Sequence, residues 1–414
     1  MTQRPPRNKT PILIIGGGAS GLAAACVLSQ NNQPFVLLEK EKKLGRKLLA
    51  TGNGRCNLMN LGPAVYFGDS GFARAVLEAC GNENVTRFFE GLGLTMFEEE
   101  EGRVYPNTRQ ATSVLDCLLS RIHHNIGARL ITDCAVRGLV KTAHGFVVDS
   151  TQGQFEAEKV IVAVGGPAAP KLGGDEGLMP ALNALGHPAV PFFPALTPLE
   201  TDTAPIKGLS GLRVPAYLSL LVENDVISRS AGEVFYADYG LSGLCAMQLA
   251  REAREQLDKG KRVEIEIDVR PLLGLQEVLM HRLPPGAYDP EEAHREVLTL
   301  LKTRQENLPK ELLYTGLLPG KMIEKVERLP LPKAAQWLSG LRLLVTGTKG
   351  FDQAQVAAGG LDCVFFHPKS MASTKVPGLY ACGEALNVDG DTGGFNLLFA
   401  WASGILAGRA SAHM

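Results

Sequence analysis

Pro11-Ile-Leu-Ile-Ile15 runs straight into Gly16-Gly-Gly-Ala-Ser-Gly21, and Phe35-Val-Leu-Leu-Glu39 follows a short distance on. Each apolar run is short and rich in branched residues, which reads as a strand buried on both faces. The segment from the glycines to about Asn31 reads as a helix, so the three pieces make a βαβ unit. The glycines match GxGxxG at the strand-to-helix turn. The first makes the turn, the second lets a pyrophosphate approach the backbone, and the third lets helix and strand pack closely. The helix N-terminus adds unpaired N–H groups and a positive dipole end for the anion. Glu39, acidic and at the end of the second strand, is placed to accept hydrogen bonds from an adenosine ribose. The plainer alternative is a surface glutamate beside a glycine-rich turn.

Directly after this unit comes Leu44-Gly-Arg-Lys-Leu-Leu-Ala-Thr-Gly-Asn-Gly-Arg-Cys-Asn-Leu-Met-Asn60. Its glycines, asparagines and cations can deliver backbone N–H groups and positive charge to a phosphate or a flavin ring; a polar surface loop is the alternative. Cys56 has no cysteine nearby for dithiol chemistry and reads as packed and inert. Further on, Val160-Ile-Val-Ala-Val-Gly-Gly166 is a buried strand ending at Gly165 and Gly166, a pattern common to many α/β strands. The richest segment is Gly378-Leu-Tyr-Ala-Cys-Gly-Glu-Ala-Leu-Asn-Val-Asp-Gly-Asp-Thr-Gly-Gly-Phe-Asn-Leu397. A strand presents Gly383 and Glu384, a loop carries Asp389 and Asp391, and Thr392, Gly393 and Gly394 open a helix. Glu384 can bind a ribityl or ribose hydroxyl. The helix start can face a flavin pyrimidine edge, where it would stabilise the negative charge that grows on reduction. A calcium loop would need more oxygen ligands at fixed steps.

The chain has 414 residues, enough for two or three domains, and 45% of them are hydrophobic. Its 46 glycines exceed the usual share and carry no repeat, which suggests tight turns and phosphate loops. A net charge of -1 argues against a nucleic-acid partner, which needs a basic face. Eight cysteines lie scattered without a CxxC pair, and no histidine pair has metal spacing; His123 and His124 read as solvated. The start, Met1 to Thr10, is polar and proline-rich, and no apolar stretch has the length of a membrane span; Phe395 to Ala407 reads as a buried helix. A cytoplasmic location is the expectation.

Between the glycine-rich ends the character changes. Helical stretches are expected near Phe72–Gly91 and Ala111–Ile126, with strands at Ala128–Val140 and Gly145–Asp149. Pro188 to Pro198 marks a boundary. Tyr217–Val222 and Val263–Val269 alternate like antiparallel strands, Glu291–Lys302 and Pro309–Leu318 look helical, and Leu341–Thr346 is a strand. A middle domain over residues 192–344 is thus inserted into a nucleotide-binding domain made of residues 1–191 and 345–414.

Taken together, Gly16–Gly21, Ala50-Thr-Gly-Asn-Gly-Arg-Cys-Asn57, Glu101-Gly-Arg-Val-Tyr-Pro106, Tyr239-Gly-Leu-Ser-Gly243 and Gly378–Gly394 resemble the YhiN/BaiN-like flavoproteins. These are described as NAD(P)/FAD-dependent oxidoreductases or aminoacetone-oxidase-like enzymes. The resemblance runs from about Thr10 to the end. It implies an α/β fold: a Rossmann-like FAD-binding domain formed by both termini, with an inserted mixed β-barrel-like and helical domain. It implies non-covalent FAD lined by Gly16, Gly18, Gly21, Glu39, Lys47, Gly54, Arg55, Cys56, Asn57, Gly383, Glu384, Asp391, Gly394 and Asn396. The neighbouring Ala19, Ser20, Lys40, Thr51, Gly52, Asn53, Val136, Gly165, Gly166, Thr392, Gly393 and Phe395 complete the candidate set. The sequence departs from the family after Gly166, where Pro167-Ala-Ala-Pro-Lys-Leu-Gly-Gly-Asp-Glu-Gly177 replaces the usual run, and at Tyr236-Ala-Asp238.

The expected function is two-electron, hydride-type flavin chemistry on a small molecule. With one GxGxxG there is no separate nicotinamide domain, so NAD(P)H, if used, would bind transiently at the flavin face. The rivals are a flavin monooxygenase, a non-turnover redox sensor, and an RNA-modifying flavoenzyme, the last weighed against by charge. No acid or base is named by the sequence. Arg55 and Tyr105 are the catalytic candidates, and substrate is expected at the flavin face near Tyr239–Gly243.

Overall fold

The apolar run read from Pro11 is the buried half of a longer strand, β1 (Asn8–Ile15). Gly16 leads into helix α1 (Ala19–Gln30), and β2 (Phe35–Leu38) returns parallel to β1, with Ile12 opposite Phe35 and Ile15 opposite Leu38. The computed structural model describes residues 8–276, 282–283 and 289–412; the first seven residues of the polar, proline-rich start lie outside them. The chain folds as two compact units. One runs through Phe193 and resumes at Val356; the other is Pro194–Gln355.

The first unit is built on a seven-stranded sheet. Beyond β2 lies β3 (Ala128–Ile131). On the other side of β1 lie β4 (Val136–Thr142), β5 (Gly145–Ser150) and β6 (Gly153–Val162), β6 next to β1 and parallel to it. The order is β3-β2-β1-β6-β5-β4. The early half of β6 pairs antiparallel with β5, and its last residues pair in parallel with β7 (Leu379–Ala381). One strand thus joins the N-terminal sheet to the C-terminal segment. The closing helix α2 (Phe395–Ala412) packs against α1 and is apolar nearly all round, as a helix buried on every side must be. The contact is close because Gly404 and Gly408 have no side chains: an added Cβ would lie 2.3 Å from the Ser20 carbonyl oxygen at Gly404, and 2.9 Å from that of Ala24 at Gly408. Among the described residues no helix is long and apolar enough to cross a membrane.

The second unit holds a seven-stranded sheet, six strands of which close into a ring, while the seventh, Arg282–Leu283, pairs with Asp225–Ala237 from outside it. Arg213–Val222 pairs with both Asp225–Ala237 and Val263–Asp268. From Val263–Asp268 the ring continues through Leu341–Thr348, Leu199–Thr201 and Gly240–Ser242 back to Asp225–Ala237, antiparallel throughout. Helix Leu244–Asp258 packs its Ala246, Leu249, Ala250 and Ala253 into this core.

Several expected boundaries move. The stretch Phe72–Gly91 is two helices, Ser70–Ala79 and Asn82–Gly91, broken at Cys80 and Gly81. Ala128–Val140 is likewise two strands, parted by a turn at Asp133, whose φ is 54°. Val160–Val164 stops at Val162 but starts at Gly153, because its polar first half is a meander strand. Pro309–Leu318 is not a helix: the chain makes a 3-10 turn at Lys310–Leu312 and further turns, with Gly316 at φ 75°. Glu291–Lys302 is the middle of helix Pro290–Asn307, capped by the Asp289 carboxylate, which accepts from the Glu291 and Glu292 N–H groups.

Candidate functional site

The three glycines of the first turn meet three different surroundings. A Cβ on Gly16 would sit 2.3 Å from the Ala163 carbonyl oxygen, and Gly16 has φ 107°. One on Gly21 would sit 2.0 Å from the Gly16 carbonyl oxygen. One on Gly18 would meet nothing within 4 Å. The first and third glycines are therefore demanded by the protein's own backbone, and the second faces open space, the arrangement a dinucleotide pyrophosphate needs. Gly18 is also the N-cap of α1, and among the described residues no side chain caps that end. The helix N-terminus is left to an anion. Ala19 and Ser20 begin the helix beside it.

Glu39 is tied into this turn rather than free on the surface. Its Oε2 accepts from Gly17 N at 2.7 Å and its Oε1 from Glu41 N at 2.9 Å. Lys40 next to it points its Nζ to Asp175 Oδ2 at 2.5 Å. Val136 stands at the start of β4, opposite Ser150.

The Thr51–Asn57 loop is wound unusually. Gly52, Asn53, Gly54 and Cys56 have φ of 56°, 54°, 83° and 57°, all left-handed. For Asn53 and Cys56, which carry side chains, such backbone costs of the order of 1–3 kcal/mol each and concentrates at functional sites. Thr51 Oγ1 donates to the Leu48 carbonyl and closes the preceding short helix. Gly52, Asn53 and Gly54 are exposed, while Cys56 is fully buried. Burial pushes the Cys56 thiol up to about 12, against a weaker downward pull from a Thr51 hydrogen bond. It is not a thiolate nucleophile at neutral pH.

Asn57 is buried, and its Oδ1 has no hydrogen-bond partner among the described residues. It lies 2.8 Å from where a Gly394 Cβ would stand, at the N-terminal end of α2. Gly394 has φ 112°, and that Cβ would also strike the Met59 carbonyl at 2.6 Å. Asn60 Nδ2 donates to the Gly393 carbonyl at 2.9 Å, and Trp401 Nε1 to the Leu58 carbonyl at 3.0 Å. The Asn57–Asn60 segment and the start of α2 are thereby fixed to each other across the length of the chain. A buried amide without a partner is costly unless a ligand completes it. The open second glycine, the uncapped helix end and this orphaned amide all fit a flavin dinucleotide.

Two expected contacts turn out to be used by the protein itself. Glu384 takes Lys47 Nζ at 2.7 Å and Gly166 N at 3.2 Å on Oε2, and Ala357 N at 2.9 Å on Oε1. It joins four segments, with Gly165 alongside at φ 72° and Gly383 backed by Ser20. A carboxylate has about four acceptor positions, so one is left for a hydroxyl. Asn396 spends its amide on the preceding loop, accepting from Gly390 N at 2.8 Å and donating to the Gly390 and Asp391 carbonyls. Asp391 is buried and accepts from Thr392 N at 2.7 Å. Phe395 receives the Tyr66 hydroxyl on its carbonyl at 2.8 Å.

Arg55 and Tyr105 stack, the guanidinium 4.2 Å from the ring centre. Arg55 is also paired with Glu99, which Arg109 reaches at 3.3 Å while lying over Phe97. Sequence reasoning missed Glu99, Arg109 and Phe97, since no motif marks them. Tyr239 belongs to the second unit; the ammonium of Lys349 lies 4.3 Å from its ring centre and pairs with Glu200. Gly240 and Gly243 there have φ of 142° and 91° and back onto neighbouring strands. Among the described residues no group of three or more potential metal ligands occurs.

The family described as "HI0933-like protein Rossmann domain" matches residues 10–410. A "3-dehydro-bile acid delta(4,6)-reductase" of Clostridium scindens is 35% identical over 425 aligned positions, covering 97% of this chain and 98% of that one. A "ribosomal RNA dihydrouridine synthase" of Haemophilus influenzae is 26% identical, covering 94% and 96%. Among solved structures, a 3-ketosteroid-delta4-(5alpha)-dehydrogenase from Rhodococcus jostii superposes with a TM-score of 0.50 at 15% identity, covering 100% of this chain and 99% of that one, a likeness of fold. With a family match over nearly all its length and a relative at that identity, the chain belongs to the HI0933-like family, the YhiN/BaiN group that its TGNGRCN and GE…DGDTGG segments resemble.

Proposed function

We propose that this protein is an FAD-dependent oxidoreductase that reduces a carbon–carbon double bond conjugated to a carbonyl in a small organic molecule, drawing electrons from NAD(P)H. The observation that carries the cofactor is the open Gly18 between two glycines that the backbone itself demands. When bound, FAD supplies a ring that accepts and donates hydride. Gly16–Gly21 and the α1 N-terminus hold its pyrophosphate, and Glu39 offers carboxylate oxygens to its ribose. Asn57 and the N-terminal end of α2 present an amide and backbone N–H groups to its polar edge, and Thr51–Asn57 shapes the wall carrying Arg55 and Tyr105.

The substrate class is supported by the names of the relatives. A delta(4,6) reductase of a 3-dehydro bile acid and a synthase of dihydrouridine both saturate a double bond adjacent to a carbonyl system. A small molecule is favoured over RNA. The net charge is -1, and Arg55 is itself paired with Glu99, which belongs to the acidic run Glu98 to Glu101 in the sequence, a setting opposed to a phosphate backbone. The ribosomal RNA relatives support the second reading, an RNA substrate.

Anaerobic reduction of the purified yellow protein by NADH and by NADPH, followed by reoxidation with a 3-oxo-4,6-diene steroid, a simple enone or ribosomal RNA, tests both. Rapid reoxidation by an enone supports the proposal. Turnover with RNA alone moves the assignment to the second reading, and reoxidation by oxygen alone removes both. Arg55→Ala is expected to slow substrate reduction more than it lowers the melting temperature.

A further inference from the structure

The segment after β6 that departs from the family pattern has a defined path. Asp175 N donates to the Gly166 carbonyl at 3.1 Å, so residues 166–175 form a closed loop whose two ends meet. Its tip lies elsewhere. Arg46 donates to the Lys171 carbonyl at 2.8 Å and also pairs with Glu41, and a Cβ on Gly173 would lie 3.2 Å from the Glu41 side chain. Glu41 follows β2, and β1 stands between β2 and β6 in the sheet. A loop that leaves β6 and rests its tip on residues beyond β2 spans about 10 Å, two strand spacings, and crosses the carboxyl end of β1. The Gly16–Gly21 turn begins there.

Lys40 Nζ closes the path by reaching Asp175 Oδ2 at 2.5 Å. Burial works to raise the Asp175 carboxyl, but Lys40 and the Gly177 N–H outweigh it and hold it below its usual range. The pair is partly open to water, with side-chain exposures of 30% and 45%, which suits a contact that can open.

We propose that residues 167–177 are a strap across the dinucleotide crevice, latched by the Lys40–Asp175 ion pair, and that this latch sets how fast FAD leaves. The inference rests on the reading that the crevice holds FAD. Lys40 is then a positioning residue that acts through the strap.

The test follows FAD release from gel-filtered holoprotein after dilution, in wild type, Asp175→Asn, Lys40→Gln, and the charge-swapped pair Lys40→Asp with Asp175→Lys. Each single variant is expected to release FAD about two- to fivefold faster, the range of a half-exposed ion pair, and the swapped pair to recover most of the wild-type rate. In 1 M salt, where screening acts over about 3 Å, wild type should approach the single variants. The singles attack the latch from opposite sides, so misfolding of one leaves the other informative. FAD bound with release unchanged by Asp175→Asn overturns the strap and leaves the cofactor reading standing. A swapped pair as fast as Lys40→Gln also overturns it, because Lys40 would then touch the cofactor itself. A wild-type chain that retains no FAD removes both.

Discussion

Neighbouring glycines of the first turn carry opposite constraints, and substitution should separate them. Gly18 has φ -83° and open space where a side chain would go. Gly18→Ala should fold with nearly unchanged stability yet lose about tenfold or more in FAD affinity, because the methyl occupies the pyrophosphate's approach. Gly21→Ala places its methyl 2.0 Å from the Gly16 carbonyl oxygen and should cost roughly 1–3 kcal/mol of folding stability. Thermal melts with and without FAD, beside an FAD titration, distinguish the two; equal losses of stability would refute the contrast. Glu39→Ala should lower FAD affinity about tenfold to hundredfold, as expected for losing an ionised acceptor worth about 1.5–3 kcal/mol. An unchanged dissociation constant would reduce Glu39 to its bonds with Gly17 and Glu41. The backbone contacts at Gly16 and Gly21 were legible in the sequence, since GxGxxG states where backbone must meet backbone. The partners of Glu384 were not: Lys47, Gly166 and Ala357 come from three distant segments, and no spacing rule links them.

At the scale of elements, the contact between α1 and α2 carries the join between the chain's two ends. Gly404 sits where any side chain would enter the backbone of α1. Gly404→Val should push the helices apart and destabilise the fold by about 1–3 kcal/mol or more, as overpacking does. Because Ser403 Oγ accepts from Gly383 N at 3.0 Å, the same change should loosen the Gly383–Glu384 turn and weaken FAD retention. A Gly404→Val protein with wild-type melting temperature and cofactor content would contradict this. Strands with a long apolar run were readable from their residues, whereas the second unit's ring was implied by the family resemblance and not by any pattern in its own residues. It closes through Leu199–Thr201 and Gly240–Ser242, three residues each, too short to show a period of two. The proline-rich stretch before them gives a break in composition but no pairing. Helix Leu244–Asp258 has its own apolar face, yet it went unread beside the glycine-rich turn that precedes it.

For the molecule as a whole, the scattered cysteines make a prediction about pH. Burial pushes Cys80 up to about 11 and Cys56, Cys245 and Cys382 up to about 12, and raises Cys26 and Cys363 further. All start from an ordinary thiol value of 9.0. A group whose value is raised by folding is more readily ionised when unfolded, so its neutral form favours the native state. That contribution is complete below about pH 9 and is lost as pH climbs through 11 and 12. The buried hydroxyls of Tyr66 and Tyr236 are raised by the same burial and act in the same direction. The melting temperature should therefore hold through neutral pH and fall steadily above about pH 9, with the absorbance of these six thiolates appearing together with unfolding rather than before it; the half-exposed Cys117 stands outside this group. Replacing Cys382, which is fully buried beneath the Gly383 turn, with alanine should flatten part of that alkaline slope while lowering stability at pH 7. Thiolate absorbance from these six that rises near pH 9 while the far-ultraviolet signal stays native would mean that these thiols reach water in the folded protein, and the packed core around the two chain ends would have to be looser than its burial indicates.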